Sequence, residues 1–330
     1  MNNAGKIQSR LVKSLLYVTF AVLAFGVAVT QQRTISDFMK LHNYTAPEQV
    51  AKIASQDSFT DSARRIFYVN HPDINDRASF VKFCPSGAKE QTIVLGCYQS
   101  DQAGIFLLNV NDPRLDGVKQ VTAAHEMLHA AYDRLSSSDK QSVNKQLLDY
   151  YNNSLTDERL KTTIDAYKKS EPGDVVNEMH SIFGTEVAQL PPELEVYYKQ
   201  YFVNRSAVTS LSAKYQAEFT SRKDLVASAD ARLKIIKQRV EDIESGLKDK
   251  QSAITNRQQT LTQLRSSDVS AYNAAIPEYN QLISSYNQDV QRVRVLVNEY
   301  NALVSKRNAV AVEEDQLVKS LGAQPETIQN

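Results

Sequence analysis

The chain has 330 residues, a formal net charge of zero, ten glycines, five histidines and no tryptophan. Its length allows two structural units, and its balanced charge excludes the strongly basic composition that is typical of nucleic-acid-binding proteins. The low glycine content is typical of a largely helical protein. We therefore expect a mainly helical protein that does not bind nucleic acid.

The first distinctive segment is an uncharged, mostly apolar run at residues 14–30, which Lys6, Arg10 and Lys13 precede. The run is just long enough to span a bilayer and longer than the apolar core of a usual signal peptide. Because basic residues favour the cytoplasmic side, we expect a cytoplasmic segment at residues 1–13, a transmembrane signal-anchor and an extracytoplasmic remainder. The alternative is a secreted protein whose signal peptide is cleaved.

Four short segments in the next part of the chain have the composition of β-strands. They are rich in β-branched and aromatic residues and are separated by Pro, Gly and Asp. The predicted strands are residues 65–70, 81–84, 92–98 and 104–110. A small sheet followed by helices predicts an α+β fold.

The two cysteines, Cys84 and Cys97, lie within two of these predicted strands. An even number of cysteines in an extracytoplasmic segment predicts a disulfide, and the pair lacks the short spacing of cysteine zinc sites. Closing a loop of this size would contribute about 2–3 kcal/mol to stability.

The most specific motif is the run His125-Glu126-Met127-Leu128-His129. On a helix, His125 and His129 project from one face about one turn apart, which suits two ligands of one tetrahedral zinc ion. Glu126 lies beside the pair, where its carboxylate can act as general base on the water that zinc activates. The motif therefore predicts a Zn²⁺ site with Glu126 as the catalytic residue.

A catalytic zinc site needs a third protein ligand, and Leu135 stands where metzincins place a third histidine. The motif at residues 125–129, followed by Asn177-Glu178 and the run Ile-Phe-Gly-Thr at residues 182–185, resembles the gluzincin metallopeptidases, thermolysin among them. In that family a downstream helix supplies a glutamate ligand.

The resemblance implies a zincin-like metallopeptidase domain over residues 31–206, in which His125, His129 and Glu178 bind the metal. It also implies that Asn177 steadies a ligand imidazole. Glu186 is an alternative third ligand on the same predicted helix.

Three further expectations leave alternatives open. His180 either supports the site or packs as an ordinary buried histidine, and Tyr197, Tyr198 and Tyr201 either stabilise the tetrahedral intermediate or pack between helices. By the same resemblance, residues 104–110 form the sheet edge that pairs with extended substrate. The alternative for that segment is an interior strand.

Beyond the motif the sequence predicts helices at residues 138–152, 156–169 and 174–189, and a further helix that begins at Pro191. From about residue 207 the pattern changes to heptads, which predict a coiled coil.

Two heptad runs, at residues 233–264 and 276–304, flank a polar turn at residues 265–268. This arrangement predicts an antiparallel coiled-coil hairpin with a tail over residues 207–330. Lys250 and Arg257 occupy positions of the first seam; the second seam is predicted to contain Ile276, Tyr279, Ile283, Tyr286, Val290, Val293, Val297, Tyr300 and Val304. We expect a flexible arm that binds a protein partner.

Two classes of function compete. In the first, the protein is a membrane-anchored zinc metallopeptidase that hydrolyses a peptide or protein substrate, with Glu126 as general base. In the second, it is an envelope scaffold whose hairpin is the working part and whose metallopeptidase-like domain is inactive. The intact motif favours the enzyme, because an inactive site usually lacks one of these residues. A third hypothesis is a zinc hydrolase that cleaves a bond other than a peptide bond, because such an enzyme can have the same ligand set.

Overall fold

The computed structural model describes residues 31–85, 94–100 and 103–321. The chain divides into two compact units between Tyr215 and Gln216. The predicted anchor at residues 14–30 lies outside the described residues. Within them, no helix combines the length and the apolar character that crossing a membrane requires.

The first unit is mainly helical and contains one small sheet, in agreement with the predicted α+β class. Its helices are α1 (Gln32–Leu41), α2 (Glu48–Gln56), α3 (Asp61–Val69), α4 (Arg77–Phe83), α5 (Val118–Asp133), α6 (Ser137–Asn153), α7 (Glu158–Ser170), α8 (Val175–Glu186) and α9 (Pro192–Tyr198). Its strands are β1 (Asp73–Asn75), β2 (Gly96–Gln99) and β3 (Gly104–Leu108).

Two of the predicted strands are wrong, because residues 65–69 belong to helix α3 and residues 81–83 belong to helix α4. Each helix begins with a side-chain cap: Thr60 accepts a hydrogen bond from the third backbone N–H after it, and so does Asp76. These caps satisfy donors that would otherwise lack partners at the helix start. Capping and the helical spacing of buried residues outweigh β-propensity here; the buried face of α3 is Ala63, Ile66, Phe67 and Val69.

The sheet has the strand order β1-β3-β2. Strand β3 pairs in parallel with β1 and antiparallel with β2, with Cys97 opposite Phe106. The prediction that residues 104–110 form a sheet edge is therefore wrong, because β3 is the central strand. Its side chains Ile105 and Leu107 are fully buried, as expected of an interior strand.

Helix α5 lies at the centre of the unit and packs most closely against helix α8. The buried residues of α5 include the small Ala123 and Ala124, which allow a close approach. A Cβ on Gly184 of α8 would lie 2.5 Å from Leu128 Cδ1 and 2.8 Å from Tyr198 Cε1. Glycine at this position therefore permits the contact between the two helices.

The predicted disulfide between Cys84 and Cys97 is confirmed, with Cα atoms 5.9 Å apart. Cys84 follows helix α4 and does not lie in a strand as predicted. The bridge therefore ties the end of α4 to strand β2.

The second unit is a long helical hairpin of α10 (Ser206–Ser267) and α11 (Val269–Ser320). Asp268 caps α11 by accepting from the backbone N–H groups of Ser270 and Ala271 at 3.0 Å. Helix α10 begins in the first unit, where Val208 and Ser212 are buried.

Ion pairs join residues at matching distances from the turn, which confirms the antiparallel arrangement of the two helices. The pairs are Arg222–Glu313, Asp230–Arg307, Arg232–Glu299, Lys250–Asp289 and Arg257–Glu278. They give the charged seam residues Lys250 and Arg257 acidic partners on the opposite helix. The seam prediction is wrong at Val297, which is 41% exposed, while its neighbour Leu296 is partly buried.

Candidate metal centre

Helix α5 presents the three polar residues of its motif to one cleft. His125, Glu126 and His129 all line this cleft, which has a volume of about 560 Å³. The two imidazole centroids are 4.7 Å apart, as the spacing of four residues on a helix predicts. Glu126 and His129 are buried and His125 is mostly so.

Glu178 of helix α8 approaches both histidines from the opposite wall. Its Oε2 lies 3.5 Å from His125 Nε2, and its Oε1 lies 3.4 Å from His129 Nε2. One ligand atom from each of these residues lies within 4.8 Å of the others. The fold thus brings together three groups that could bind a metal ion.

The donor set fits a divalent cation. Both distances to Glu178 exceed the usual 2.7–3.2 Å of a hydrogen bond to nitrogen. Glu178 Oε2 is buried, and within the described part of the chain it has no hydrogen-bond partner. Buried carboxylate oxygens are normally compensated, and a cation shared with two neutral imidazoles would do so.

The electrostatics of this cluster follow from its burial and from its opposite charges. Burial alone would lower the pKa of His125, but the adjacent Glu178 carboxylate raises that pKa to about 9. Burial likewise opposes ionisation of Glu178, yet the positive charges of His129 and His125 hold its pKa below the ordinary value. At neutral pH the metal-free cluster therefore holds an ionised Glu178 beside a protonated His125, and a metal ion would bind by releasing the His125 proton.

Strand β2 holds Glu126 in place. Burial raises the pKa of the Glu126 carboxyl, and the charges of His129 and His125 and a hydrogen bond from the backbone N–H of Tyr98 partly offset this. A Cβ on Gly96 would lie 2.9 Å from Glu126 Oε1 and 2.5 Å from Thr122 Cγ2. The close approach of β2 to α5 therefore requires glycine at position 96, a constraint that the sequence alone did not reveal.

The alternative ligand Glu186 lies in the cleft wall, and its Oε2 pairs with Arg159 Nη2 at 2.9 Å. Among the residues that the structure describes, Glu178 groups with the two imidazoles and Glu186 does not. Glu171, Asp174 and Glu178 form a second group whose ligand oxygens lie within 4.8 Å of one another, and this group shares Glu178 with the first.

Asn177 also lines the cleft. Its Nδ2 donates to Asp174 Oδ1 at 3.1 Å. Its Oδ1 is buried, and the described residues offer it no hydrogen-bond donor. Asn177 therefore presents an unsatisfied acceptor beside the candidate ligand Glu178.

His180 points away from the cleft into a cluster of tyrosines. Its Nε2 lies 2.9 Å from Tyr197 Oη, and its backbone carbonyl accepts from Tyr198 Oη at 2.6 Å. Burial lowers the pKa of His180 to about 3, so the ring is neutral. Of the two predicted roles, this geometry favours packing over a part in the candidate site. His180 of α8 contacts the rings of Tyr197 and Tyr198 of α9 and of Tyr201, which follows α9.

Two residues that sequence reasoning missed support helix α8. Tyr167 of α7 lines the cleft and donates a hydrogen bond to the Glu178 carboxylate. Arg205 is buried, pairs with Glu195, and donates to backbone carbonyls at the C-terminal end of α8, including that of Val187 at 2.5 Å. Neither residue stands in a motif, so no local signal separated it from other tyrosines and arginines.

Comparisons with protein-family models, with curated proteins and with solved structures find no match to this chain. The resemblance to gluzincins therefore stays a prediction from the motifs, and the functional argument depends on the geometry of the site.

Proposed function

We propose that the protein is a membrane-anchored, extracytoplasmic zinc metallopeptidase. The observation that supports this most directly is the approach of Glu178 to within 3.5 Å of both motif histidines. Two imidazoles and one carboxylate are the ligand set of catalytic zinc sites that keep one position open. The membrane anchor comes from the apolar run at residues 14–30.

His125, His129 and Glu178 would hold the zinc ion, with Tyr167 orienting the carboxylate of Glu178 by its hydrogen bond. When bound, zinc lowers the pKa of a water molecule and polarises the scissile carbonyl. Mg²⁺ and Ca²⁺ prefer oxygen ligands, so the two imidazole nitrogens of this ligand set favour zinc.

Glu126 would act as the general base and then as the general acid. It lies in the same cleft as the three ligands but is not a member of their cluster. Its carboxylate accepts a proton from the attacking water and donates it to the leaving amine nitrogen. The Tyr98 N–H donates to this carboxylate, and Gly96 packs directly against it.

Strand β2 would bind the substrate, in place of the segment 104–110. Residues from Gly96 to Tyr98 line the cleft, and in the described residues β2 pairs with a strand, β3, on one side only. An extended peptide can add to such an edge through its backbone hydrogen bonds. The disulfide at Cys97 would hold this edge beside Glu126.

The test is the substitution Glu126→Gln in the full chain, with zinc content and peptide-bond cleavage measured on the same samples. An unstructured protein such as casein and a mixture of quenched fluorescent peptides serve as substrates. We expect Glu126→Gln to retain zinc and to lose at least about 10²-fold in turnover, since it removes the general base. Leu148→Gln, an exposed change on α6, is the matched control and should leave both quantities unchanged.

Cleavage that survives Glu126→Gln would contradict the general-base role. Unsubstituted protein that binds zinc yet cleaves neither substrate would favour the scaffold reading, in which the hairpin is the working part.

A further inference from the structure

Helix α1 exposes three large apolar side chains. Ile35, Phe38 and Met39 are 45%, 63% and 67% exposed. Their spacing of three and four residues places them on one side of the helix, and we call them the apolar face of α1. Single exposed apolar residues are common, but a contiguous set of large ones marks an interaction surface.

The opposite side of α1 is bound tightly to the catalytic unit. Asp37 is buried, and Arg134 Nη1 and Nη2 each donate to its carboxylate at 2.9 Å. Arg65 Nε lies 3.7 Å from the same carboxylate, and Arg33 Nη2 donates to the Asp133 carbonyl at 3.4 Å. The bidentate pair fixes both the position and the orientation of α1.

These contacts attach α1 to the helix that carries the zinc motif. Arg134 is the capping residue that follows Asp133, the last residue of helix α5. Helix α5 also carries His125, Glu126 and His129. A surface bound by the apolar face of α1 is therefore connected to the candidate active site by one ion pair and one rigid helix.

The position of α1 in the chain indicates what covers this face. The helix begins at Gln32, directly after the apolar run at residues 14–30. If that run spans a bilayer, the first turn of α1 lies at the membrane surface, and the helix extends only about 15 Å from its start to its end. Interfacial amphipathic helices bury their apolar side about 5–10 Å into the boundary between headgroups and acyl chains.

The polar residues of α1 fit the same location. Arg33 and Lys40 lie on the same side of α1 as Asp37, and Arg33 is bound to the first unit, so the apolar face itself carries no charged side chain. A second copy of the chain would cover the face equally well in chemical terms. The adjacency to the apolar run favours lipid, because a bilayer would then already be beside the helix.

We propose that the apolar face of α1 lies in the lipid interface, and that the Asp37–Arg134 pair transmits this orientation to helix α5. The active-site cleft would then be held at one fixed orientation to the membrane. The inference rests on the proposed anchor but not on zinc binding or catalysis, so those can fail independently of it.

The test uses the absence of tryptophan from the natural chain. In the full-length variant F38W, the introduced indole is the sole tryptophan and reports the surroundings of the apolar face. The matched control is V203W, because Val203 is 75% exposed in the same unit. Each variant is reconstituted into vesicles of phosphatidylcholine and phosphatidylglycerol, with and without bromine atoms in the upper acyl chains.

We expect the emission of F38W to shift to shorter wavelength in vesicles and to lose intensity with brominated lipid, while V203W shows neither change. Vesicle-bound F38W that emits like V203W would overturn the proposal. A shift that depends on protein concentration and is insensitive to bromine would identify a second copy as the occupant and would also overturn it. Full-length chain that does not associate with vesicles would refute the anchor and the proposal together, whatever its zinc content.

Discussion

Gly96 and Glu126 are in such close contact that a methyl group on Gly96 would lie 2.9 Å from the carboxylate oxygen of Glu126. The same methyl group would lie 2.5 Å from Thr122 Cγ2, so a side chain at position 96 must displace strand β2, Thr122 or the Glu126 side chain. Displacements of about 1 Å in a catalytic site can reduce rates about 10²-fold.

The substitution Gly96→Ala should therefore lower kcat/KM by roughly 10–100-fold while zinc remains bound. Peptide cleavage and metal content measured together check this. Gly246→Ala is the control, since a Cβ on Gly246 meets nothing within 4 Å. That change should leave activity unchanged and stabilise its helix by about 0.5–1 kcal/mol. Full activity in Gly96→Ala would show that the contact with Glu126 is not needed for catalysis.

Replacing Glu178 by Gln should greatly weaken zinc binding, because it removes the anionic ligand and leaves two imidazoles. Zinc at one hundred times its dissociation constant should stabilise the unsubstituted protein by about 2.7 kcal/mol. Thermal unfolding with and without zinc should show this gain in the unsubstituted protein and not in Glu178→Gln.

Glu186→Gln is the matched comparison on the same helix. It removes the partner of the partly exposed Arg159, at a cost of about 0–1 kcal/mol, and should keep the response to zinc. The opposite pattern, with zinc lost from Glu186→Gln and kept by Glu178→Gln, would transfer the ligand role to Glu186.

Asp57 should make the first unit less stable as the pH rises. Its side chain is fully buried, and neither carboxylate oxygen has a hydrogen-bond partner in the described residues. Burial raises the pKa of Asp57 well above its ordinary value. The folded state therefore binds the proton more tightly than the unfolded state, whose pKa is about 3.9.

The stability that this group contributes is complete below the unfolded pKa and is lost as the pH rises towards the folded pKa. Each pH unit between the two values costs about 1.4 kcal/mol. Asp57→Asn should remove this loss and raise the unfolding free energy at pH 7 relative to the unsubstituted protein. Denaturant unfolding at several pH values checks it, and equal pH dependence in both proteins would refute the assignment.

Arg205 should be important for the position of helix α8. Its guanidinium pairs with Glu195 and donates to the carbonyls of Phe183, Gly184, Val187 and Ala188. Arg205→Met leaves the buried backbone acceptors without a donor and should cost about 1–3 kcal/mol of stability, since the partly exposed Glu195 can be hydrated.

Lys214→Met is the control, because the Lys214–Asp116 pair is exposed and is worth only about 0–1 kcal/mol. Thermal unfolding of the two variants measures how much stability each substitution removes. Equal, small losses would show that water replaces the guanidinium at the end of α8.

The parts of the protein that depend on neighbours in the chain could be predicted from the sequence. The spacing of His125 and His129 needs only one helical turn, and the alternation of the hairpin seam needs only heptads. The helices at residues 137–153 and 158–170 likewise lie within two residues of the ranges predicted from the sequence, 138–152 and 156–169. Where two local signals conflicted, as at residues 65–70, composition favoured a strand and the cap at Thr60 favoured the helix that forms.

What the sequence by itself determined is the pair of imidazoles with the glutamate between them, the disulfide and the helical hairpin, since each is set by short-range spacing or by an even cysteine count. The tertiary structure alone decided between Glu178, which the resemblance implied, and Glu186 as the neighbour of the imidazoles. It also decided that β2 and not β3 is the strand beside Glu126, and that His180 faces tyrosines. These outcomes depend on how closely β2 and α8 can each approach α5. Gly96 permits the close approach of β2, and Gly184 permits that of α8. Contacts of this kind join residues far apart in the chain, so no local pattern encodes them.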